Sequence, residues 1–231
     1  MTISEDLFKV GLDYYLGRGV ARNYQEAFSM WKKASDLGNR DAQCNVGTCY
    51  FEGCGVQMDK QEALLWYMKA AENGHPRGQY LLGESYYFGH GTAKDEKIAV
   101  QWFIKSSGLG DRDAIYNLAV CYRDGTGIPK NPTQAFIWFE KASNQEDSWA
   151  QYNLARCYFE GIGVAVNEKE CVKWYAKAAE QGMSEAQYAL AWHYHYGRGV
   201  DKDSEKCKNW LRRAEKSGNE DATKALRMLG V

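Results

Sequence analysis

Small and aromatic residues recur along the chain with a fixed spacing of 36 residues. One series places alanine or glycine at Ala42, Gly78, Ala114, Ala150, Ala186 and Ala222. A second series places tyrosine at Tyr14, Tyr50, Tyr86, Tyr122, Tyr158 and Tyr194. A fixed period in this range predicts a structure made of stacked supersecondary units. Six complete units fit between residues 6 and 221.

Each predicted unit carries two glycines separated by one residue. The pairs are Gly17/Gly19, Gly53/Gly55, Gly89/Gly91, Gly125/Gly127, Gly161/Gly163 and Gly197/Gly199. Glycine adopts the positive backbone angles that end one helix and reverse the chain. The pattern therefore predicts two helices per unit, joined by a Gly-x-Gly turn.

A residue that can cap a helix follows each glycine pair. The series is Asn23, Asp59, Asp95, Asn131, Asn167 and Asp203. A side-chain oxygen at this place accepts hydrogen bonds from the free amides of the first helical turn. Four of the caps are followed three residues later by a residue suited to a capping box, namely Glu26, Glu62, Gln134 and Glu170. Pro132 suits the first position of a helix.

The second helix of each unit has a stripe of small and aromatic residues. Small residues start the stripe at Ala27, Ala63, Ala99, Ala135, Cys171 and Cys207, and an aromatic pair such as Trp66-Tyr67 follows. Small residues end it at Ala34, Ala70, Ser106, Ala142, Ala178 and Ala214. A stripe of this kind packs along one helix face. Helices of about a dozen residues are marginal alone, so the units must be stabilised by stacking on one another.

The predicted fold class is therefore all-α, a solenoid of six helix-turn-helix repeats with a C-terminal capping helix. We expect a single repeat domain over residues 1–231. Its repeats are predicted at 6–41, 42–77, 78–113, 114–149, 150–185 and 186–221, with the cap at 222–231.

Composition narrows the classes of partner. The 29 basic and 30 acidic residues nearly cancel, which disfavours nucleic acid and anionic membranes as partners. The chain begins without a basic and apolar leader, and it has no apolar run of membrane-spanning length. Seven cysteines form no recurring framework, which suits a reducing compartment. We expect a soluble, cytoplasmic protein.

Together these residues resemble the Sel-one-like repeat family, relatives of tetratricopeptide repeats. The shared pattern is A-x-x-x-L-G-x-x-Y-x-x-G-x-G-V-x-x-D-x-x-x-A-x-x-W-Y-x-K-A-A-x-x-G, and it extends over nearly the whole chain. Its lysine landmark falls at Lys33, Lys69, Lys105, Lys141 and Lys177, with Arg213 in the sixth unit. The resemblance implies a right-handed superhelix whose first helices line a concave surface, and a role as an adaptor or scaffold.

The chain departs from this pattern in two places. Glu146 stands where the other units have glycine, so we expect the turn between the fourth and fifth units to differ in shape, with a local change of curvature. Cys171 and Cys207 replace the packed alanine of the second helix, where we expect small, buried thiols.

Partner-binding residues are expected on the first helices. We number each first helix from the residue that recurs every 36 positions, such as Ala42, as position 1. Positions 1, 5 and 9 then share one face of the helix, and positions 3, 7, 10 and 11 share the other. The second face varies most at positions 7 and 11, as a specific binding surface requires. The candidates are Glu84, Phe88, Asn117, Val120, Asp124, Trp149, Asn153, Arg156, Trp192, His195 and Tyr196.

Three features of the first helices can be interpreted in two ways. Position 3 holds an aromatic residue in most units, and Asn45, Asn117 and Asn153 share position 4; both sets could bind an extended peptide or be repeat packing. Trp149 and Trp192 could form a binding patch with their neighbours or fill gaps left by the Glu146 turn. Leu7 and Phe8 need either a local cover from residues 1–5 or self-association. We expect a monomer, with self-association through this end as the alternative.

Catalytic motifs are not apparent. The Gly-x-Gly turns do not extend to a nucleotide-binding loop, and no nucleophile elbow is present. His193 and His195 are two residues apart, so a helix directs them about 200° from each other rather than toward one metal. We therefore expect no cofactor, no metal and no enzymatic activity, but a binding module for a protein or extended peptide. An adaptor and a toxin-masking immunity protein are both compatible; a small-substrate hydrolase and a self-assembling element are the alternatives from other classes.

Overall fold

The computed structural model describes residues 2–230. This part of the chain forms thirteen α-helices and no strands. They are α1 (Ile3–Leu16), α2 (Tyr24–Asp36), α3 (Arg40–Glu52), α4 (Lys60–Glu72), α5 (Pro76–Phe88), α6 (Glu96–Gly108), α7 (Arg112–Asp124), α8 (Pro132–Ser143), α9 (Ser148–Glu160), α10 (Glu168–Glu180), α11 (Ser184–Tyr196), α12 (Ser204–Lys216) and α13 (Glu220–Met228). The predicted all-α class, with six helix-turn-helix repeats and a closing helix, is confirmed. Val231, the last residue of the predicted cap, lies outside the described residues.

The helices belong to two compact units. Unit 1 extends to Ala114 and includes residues 126–128, and unit 2 comprises residues 115–125 and the chain from Pro129 onward. In each unit, a first helix packs on the second helix of its repeat, which packs on the next first helix. Cys171 and Cys207 are buried in unit 2, as expected, and all seven cysteines are free thiols. No helix within residues 2–230 is long and apolar enough to cross a membrane.

The second helices begin at the predicted caps. The Asn23 carboxamide oxygen accepts from the amides of Gln25 and Glu26, both at 3.1 Å, and Asp59 and Asp95 also accept two amides each. The other predicted caps, Asn131, Asn167 and Asp203, each accept one, from the amide three residues further on. Pro132 is the first residue of α8, as predicted. The expected capping boxes are wrong, because Thr2 with Glu5 is the only reciprocal pair among the described helices.

A backbone bond explains why the boxes are missing. The Asn23 amide donates to the carbonyl oxygen of Tyr14 at 2.9 Å, so it is not available to Glu26. The same bond joins each later cap to the periodic tyrosine before it, at 2.8 to 3.0 Å. The tyrosine carbonyl therefore ties the turn of every repeat to its first helix.

The two glycines of each turn have different roles. Gly53 ends α3 with a φ of 76°, in the left-handed region. Gly55 also has a positive φ, and a Cβ built on it would lie 2.1 Å from the carbonyl oxygen of Tyr24 in the preceding repeat. Side chains do not fit at such a distance, so the second glycine allows close approach of successive repeats.

In five of the six repeats, the lysine or arginine landmark pairs with a tryptophan three residues before it; Lys33 of α2 has Met30 at that place. The ammonium of Lys105 lies 3.9 Å from the centre of the Trp102 ring, and that of Lys177 lies 4.1 Å from the centre of the Trp174 ring. Equivalent pairs occur in α4, α8 and α12. These residues are one turn apart on a helix surface, where a cation over an aromatic face is attractive. This contact accounts for the recurrence of a basic residue at that position.

The turn at Glu146 keeps the hydrogen-bond pattern of the other turns but differs slightly in shape, as expected. The helix before it, α8, ends one residue earlier than the other second helices, and the Asp147 amide donates to the Ala142 carbonyl oxygen at 3.4 Å, longer than the equivalent bonds. Glu146 has a φ of 62°, the only positive φ of a residue other than glycine within residues 2–230. Its amide donates to Ser143 at 3.1 Å, as the Gly110 amide donates to Ser107 at 3.1 Å. The glutamate thus adopts the backbone conformation that glycine adopts elsewhere, at a cost of about 1 kcal/mol.

The expected local cover at the N-terminus is wrong for the residues described. Ile3 to Glu5 form the first turn of α1, which Thr2 caps. Leu7 and Phe8 are half-buried against the core around Trp31. The indole nitrogen of Trp31 donates to the Phe8 carbonyl oxygen at 3.2 Å.

Candidate functional site

Cavities at equivalent repeat positions lie between neighbouring first helices. Unit 1 has one of about 200 Å³ between α1 and α3 and one of about 390 Å³ between α3 and α5. Unit 2 has one of about 180 Å³ between α9 and α11. Each is lined by variable positions of the first helices and by an aromatic residue of a second helix, namely Trp31, Tyr67 or Tyr175.

The walls of the cavity in unit 2 are mainly aromatic. Phe159 of α9, Tyr175 of α10, and Trp192 and Tyr196 of α11 all line it. The rings of Trp192 and Tyr196 are stacked, with centres 5.6 Å apart and an angle of 20°. His195 packs its edge against Trp192 at 5.1 Å. Tyr196 is 61% exposed, so this group of rings is open to solvent.

Arg198, just after α11, lies at the same cavity. Its guanidinium carbon is 5.6 Å from the centre of the Tyr196 ring and 5.9 Å from that of Phe159. Its side chain forms no ion pair with the residues that the structure describes. The guanidinium therefore offers an uncompensated positive charge beside an aromatic surface.

A buried cysteine and histidine lie beneath this cavity. The Sγ atom of Cys171 is 3.5 Å from Nε2 of His193, whose Nδ1 atom is 2.9 Å from the carbonyl oxygen of Arg198. Burial raises the pKa of Cys171 to about 12, so the thiol stays protonated at neutral pH. A nucleophilic cysteine needs the opposite shift and access to solvent. This pair therefore orders α10 and α11 rather than supplying an activated nucleophile.

Among the residues predicted from sequence, the structure brings Trp192, His195 and Tyr196 together. We call these three residues the α11 cluster. Arg156, on α9, forms an ion pair with Glu160 at 2.8 Å, one turn further along the helix. Both charges lie near Tyr175, one of the rings of the cavity.

Trp149 and Asn153 are separate from the α11 cluster. Trp149, at the start of α9, is 52% exposed, which does not match the alternative that it fills a gap. Asn153 is buried; its amide nitrogen donates to the Trp149 carbonyl oxygen at 2.8 Å, and its oxygen accepts from Arg123 at 2.9 Å. Arg123 stands where other repeats have aromatic residues or His195. Asn153 is thus engaged within unit 2 rather than free for a peptide.

The remaining candidates lie on α7 and α5. On α7, Val120 packs against the unit 2 core, Asn117 is half-buried, and Asp124 accepts two bonds from Arg123, which lower the pKa of its carboxyl. On α5, Glu84 lines the larger cavity of unit 1 and accepts a bond from the Tyr80 hydroxyl at 2.9 Å. Phe88 is 59% exposed and stacks on His90, with ring centres 5.6 Å apart.

The aromatic residues at position 3 pack inside their own repeats. Tyr80 stacks on Phe103 at 5.8 Å, and Tyr152 lies 5.5 Å from Tyr175. Tyr80 is buried. These contacts favour repeat packing over a role in partner binding for this position.

Sequence reasoning missed Phe159, Tyr175 and Arg198 as parts of the cavity. Tyr175 belongs to the recurring aromatic pair of the second helix, which the pattern assigns to packing. Phe159 is at position 10, on the predicted partner-binding face, but an aromatic residue recurs there in most repeats, so it was not singled out. Arg198 had a signal, because its position holds Arg18, Cys54, His90, Thr126, Ile162 and Arg198 in successive repeats. Within residues 2–230, no three His, Cys, Asp or Glu side chains converge where they could hold a metal ion.

Comparison with known families assigns the repeats. The Sel1 repeat model matches residues 4–39, 40–75, 76–111, 112–147, 150–183 and 184–219. The chain therefore belongs to the Sel1 repeat family, as its resemblance to Sel-one-like repeats implied. The Sel1 repeat fold suggests a role in protein–protein interaction.

Solved structures share the fold. A protective antigen of uropathogenic Escherichia coli with an SLR fold is 33% identical, with a TM-score of 0.92 over 98% of this chain and 48% of that one. This chain thus spans about half the length of that antigen. A Sel1 repeat protein of Oxalobacter formigenes is 31% identical, with a TM-score of 0.85 over 93% of this chain and 88% of that one. An immunity protein of Pseudomonas aeruginosa is 19% identical, with a TM-score of 0.57 over 94% and 82% of the two chains, which shows the fold alone. No curated protein matched the chain.

Proposed function

We propose that the chain is a non-catalytic scaffold or adaptor that binds a protein or extended peptide through the α11 cluster and the adjoining cavity. The observation that carries this proposal is the exposed stack of Tyr196 on Trp192 at the aromatic cavity. Tryptophan, tyrosine and arginine dominate the binding energy of protein interfaces because they bury a large area per side chain. Tyr196, Trp192 and Arg198 supply these three residue types at one place.

The rings need little ordering on binding. Trp192 contacts Tyr188, His195 and Tyr196, so its orientation is already fixed in the free protein. Immobilising a free side chain costs about 0.5–1.5 kcal/mol on association. A preordered ring stack avoids much of that cost, which favours this surface over the flexible charged side chains around it.

The test is affinity capture from the native source, followed by mass spectrometry, with the wild-type chain and variants as bait. We expect Trp192→Ala to lower partner recovery at least tenfold, since a buried hot-spot residue contributes about 2 kcal/mol or more. Arg156→Ala should have a smaller effect, because Glu160 compensates its charge. Leu65→Ala, at an exposed apolar position on α4, is the control and should leave recovery unchanged. Equal recovery with Trp192→Ala and Leu65→Ala would contradict the proposal.

An immunity role is a second proposal within the same binding class. It is supported by the shared fold with proteins that are named as immunity proteins in Pseudomonas aeruginosa. It predicts one tight partner bound one to one, with the partner's enzymatic activity lost in the complex. An adaptor predicts weaker binding that leaves the activity of its partners intact.

We propose a cytoplasmic location for this function. The support is chemical: seven free thiols, six of them buried, suit a reducing compartment. Cell fractionation of the native source checks this, and recovery in a secreted or periplasmic fraction would contradict it.

A further inference from the structure

The cavity between α9 and α11 has the size of one aromatic side chain. Its volume is about 180 Å³, and an apolar protein cavity of about 150 Å³ accepts benzene. Phe159, Tyr175 and Trp192 give it apolar walls. A phenyl group entering it would exchange water for ring contacts on several sides, which is favourable for an apolar group.

The positive charge of Arg198 favours a ligand with a negative charge in this cavity. Aromatic rings around a cavity attract cations as well as apolar groups. The guanidinium of Arg198, however, already lies beside the faces of Phe159 and Tyr196, so a second cation would meet a like charge. An apolar group that carries a negative charge next to it avoids this repulsion and gains an ion pair.

The surrounding charges do not cancel that of Arg198. Arg156 and Glu160 form their own pair at 2.8 Å. Burial raises the pKa of Tyr175, and the effects of Glu160 and Arg156 on it are opposite in sign. The Arg198 guanidinium therefore remains the uncompensated charge at this cavity, and a carboxylate is its natural complement because it can accept two parallel hydrogen bonds.

The geometry of a bound peptide indicates whether the carboxylate on Arg198 comes from an acidic side chain or from the C-terminus of the peptide. Successive side chains of an extended peptide point to opposite faces, so an acidic residue next to the inserted ring would point away from the cavity. An acidic residue two positions along would lie about 7 Å further on. The α-carboxylate of a C-terminal residue is attached to the same Cα as the ring, which suits an arginine that lines the cavity itself.

We propose that this cavity binds the C-terminal residue of a partner protein when that residue is aromatic, with the ring between Phe159 and Trp192 and the α-carboxylate on Arg198. The proposal rests on the proposed function, since it names the part of the partner that the same surface recognises. It also gives a role to the Arg198 guanidinium, which lies beside the Phe159 and Tyr196 rings and forms no ion pair with the described residues.

The experiment measures short peptides binding to the full chain by two-dimensional NMR of the indole N–H groups, with the Trp192 signal assigned from Trp192→Phe. The probes are acetyl-Gly-Gly-Phe with a free carboxylate, the same peptide as a C-terminal amide, acetyl-Gly-Gly-Ala with a free carboxylate, and acetyl-Gly-Phe-Asp amide. We expect the first to shift the Trp192 signal and to bind at least tenfold more tightly than the other three.

Variants test the role of the guanidinium. Arg198→Met keeps the aliphatic stem and removes the charge, so the free acid and the amide of the phenylalanine peptide should then bind equally. Arg18 occupies the same repeat position in unit 1, and Arg18→Met is the matched control that should keep the tenfold preference. Arg198 is exposed, and far-ultraviolet circular dichroism checks that its variant is folded.

Each contrary result has its own meaning. Equal binding of acid and amide by the wild-type chain, a preference that survives Arg198→Met, or no shift of the Trp192 signal with any peptide would overturn the C-terminal proposal. Tighter binding of the Asp-containing amide would overturn it in favour of an internal acidic side chain. If Trp192→Ala still lowers partner recovery at least tenfold in any of these cases, the proposed function stands and only the inferred ligand fails.

Discussion

The N-cap of α5 is His75, so this cap depends on the protonation state of an imidazole. Its Nδ1 atom accepts a hydrogen bond from the Gly78 amide at 2.9 Å, and its Nε2 atom lies 3.1 Å from an oxygen of Asp41. Other first helices have Asn39, Asp147 or Asn219 at this place. A protonated imidazole has no acceptor, so charging His75 removes the cap.

The direction of the pKa shift sets the pH range of this effect. Burial is the largest cause and lowers the pKa of His75 below its usual 6.5, although Asp41 acts in the opposite sense. The unfolded chain therefore takes up the proton first, and stability is complete above about pH 6.5 and decreases as the pH falls further. We expect unit 1 to lose stability as the pH falls below about 6.5, by no more than the roughly 1 kcal/mol that an N-cap contributes.

The matched variant is His75→Asn, because asparagine caps α3 and α13 without titrating in this range. Urea denaturation at several pH values should show a smaller loss for His75→Asn than for the wild-type chain. Parallel pH profiles for the two proteins would mean that other groups cause the loss.

At the scale of the elements, the Gly-x-Gly turn is the strictest requirement of the repeat. Gly55 and Gly19 occupy the same repeat position and have φ values of 73° and 72°. A Cβ on Gly55 would meet the Tyr24 carbonyl oxygen, whereas a Cβ on Gly19 would meet nothing within 4 Å. Within residues 2–230 no helix pair lies against Gly19, so the two positions separate backbone strain from close approach.

We therefore predict that Gly55→Ala destabilises the chain more than Gly19→Ala. Both substitutions carry the cost of a side chain in the left-handed region, about 1 kcal/mol. Only Gly55→Ala must also move backbone atoms of two repeats apart, which adds about 1–3 kcal/mol. Chemical denaturation of the two variants measures the difference, and equal losses would show that close approach is unimportant.

Periodicity could predict the helices, their caps and the turns, because each of these depends on a few residues at fixed spacing. It could not predict that the Asn23 amide, which a capping box needs, would instead donate to the Tyr14 carbonyl oxygen. Every residue has a backbone carbonyl, so the sequence does not indicate which one accepts this hydrogen bond. Glu146 shows a related limit: the repeat geometry imposes the left-handed conformation on a residue that does not favour it. The role of His75 as an N-cap could have been predicted, because it occupies the same repeat position as Asn39 and Asn219.

On the scale of the whole molecule, the candidate site was only partly predictable. Trp192 and Tyr196 stand out because they depart from what other repeats have at the same positions. The cavity beside them needs side chains from α9, α10 and α11, and one of its walls, Tyr175, is a residue that the pattern assigns to packing. Asn153 was expected at the binding surface but is held by Arg123, a contact between helices that helical spacing alone does not reveal.

Each unit has a core of its own, and equivalent leucines fill the two cores. Leu82 in unit 1 and Leu190 in unit 2 occupy position 5 of their repeats and are almost completely buried. Removing such a side chain costs about 2–5 kcal/mol. In a repeat protein this loss acts mainly on neighbouring helices, because each repeat contacts only those beside it.

We therefore expect Leu82→Ala to accelerate hydrogen exchange mainly in α3 to α6, and Leu190→Ala to accelerate it mainly in α9 to α12. Hydrogen exchange with mass spectrometry, under conditions where the chain stays folded, reports this helix by helix. The two variants serve as controls for each other, because they remove the same side chain from the same repeat position. Uniform acceleration along the chain in both variants would mean that the units unfold as one. If exchange is confined as expected, Leu82→Ala should also leave peptide binding at the α11 cluster unchanged, since that surface depends on unit 2.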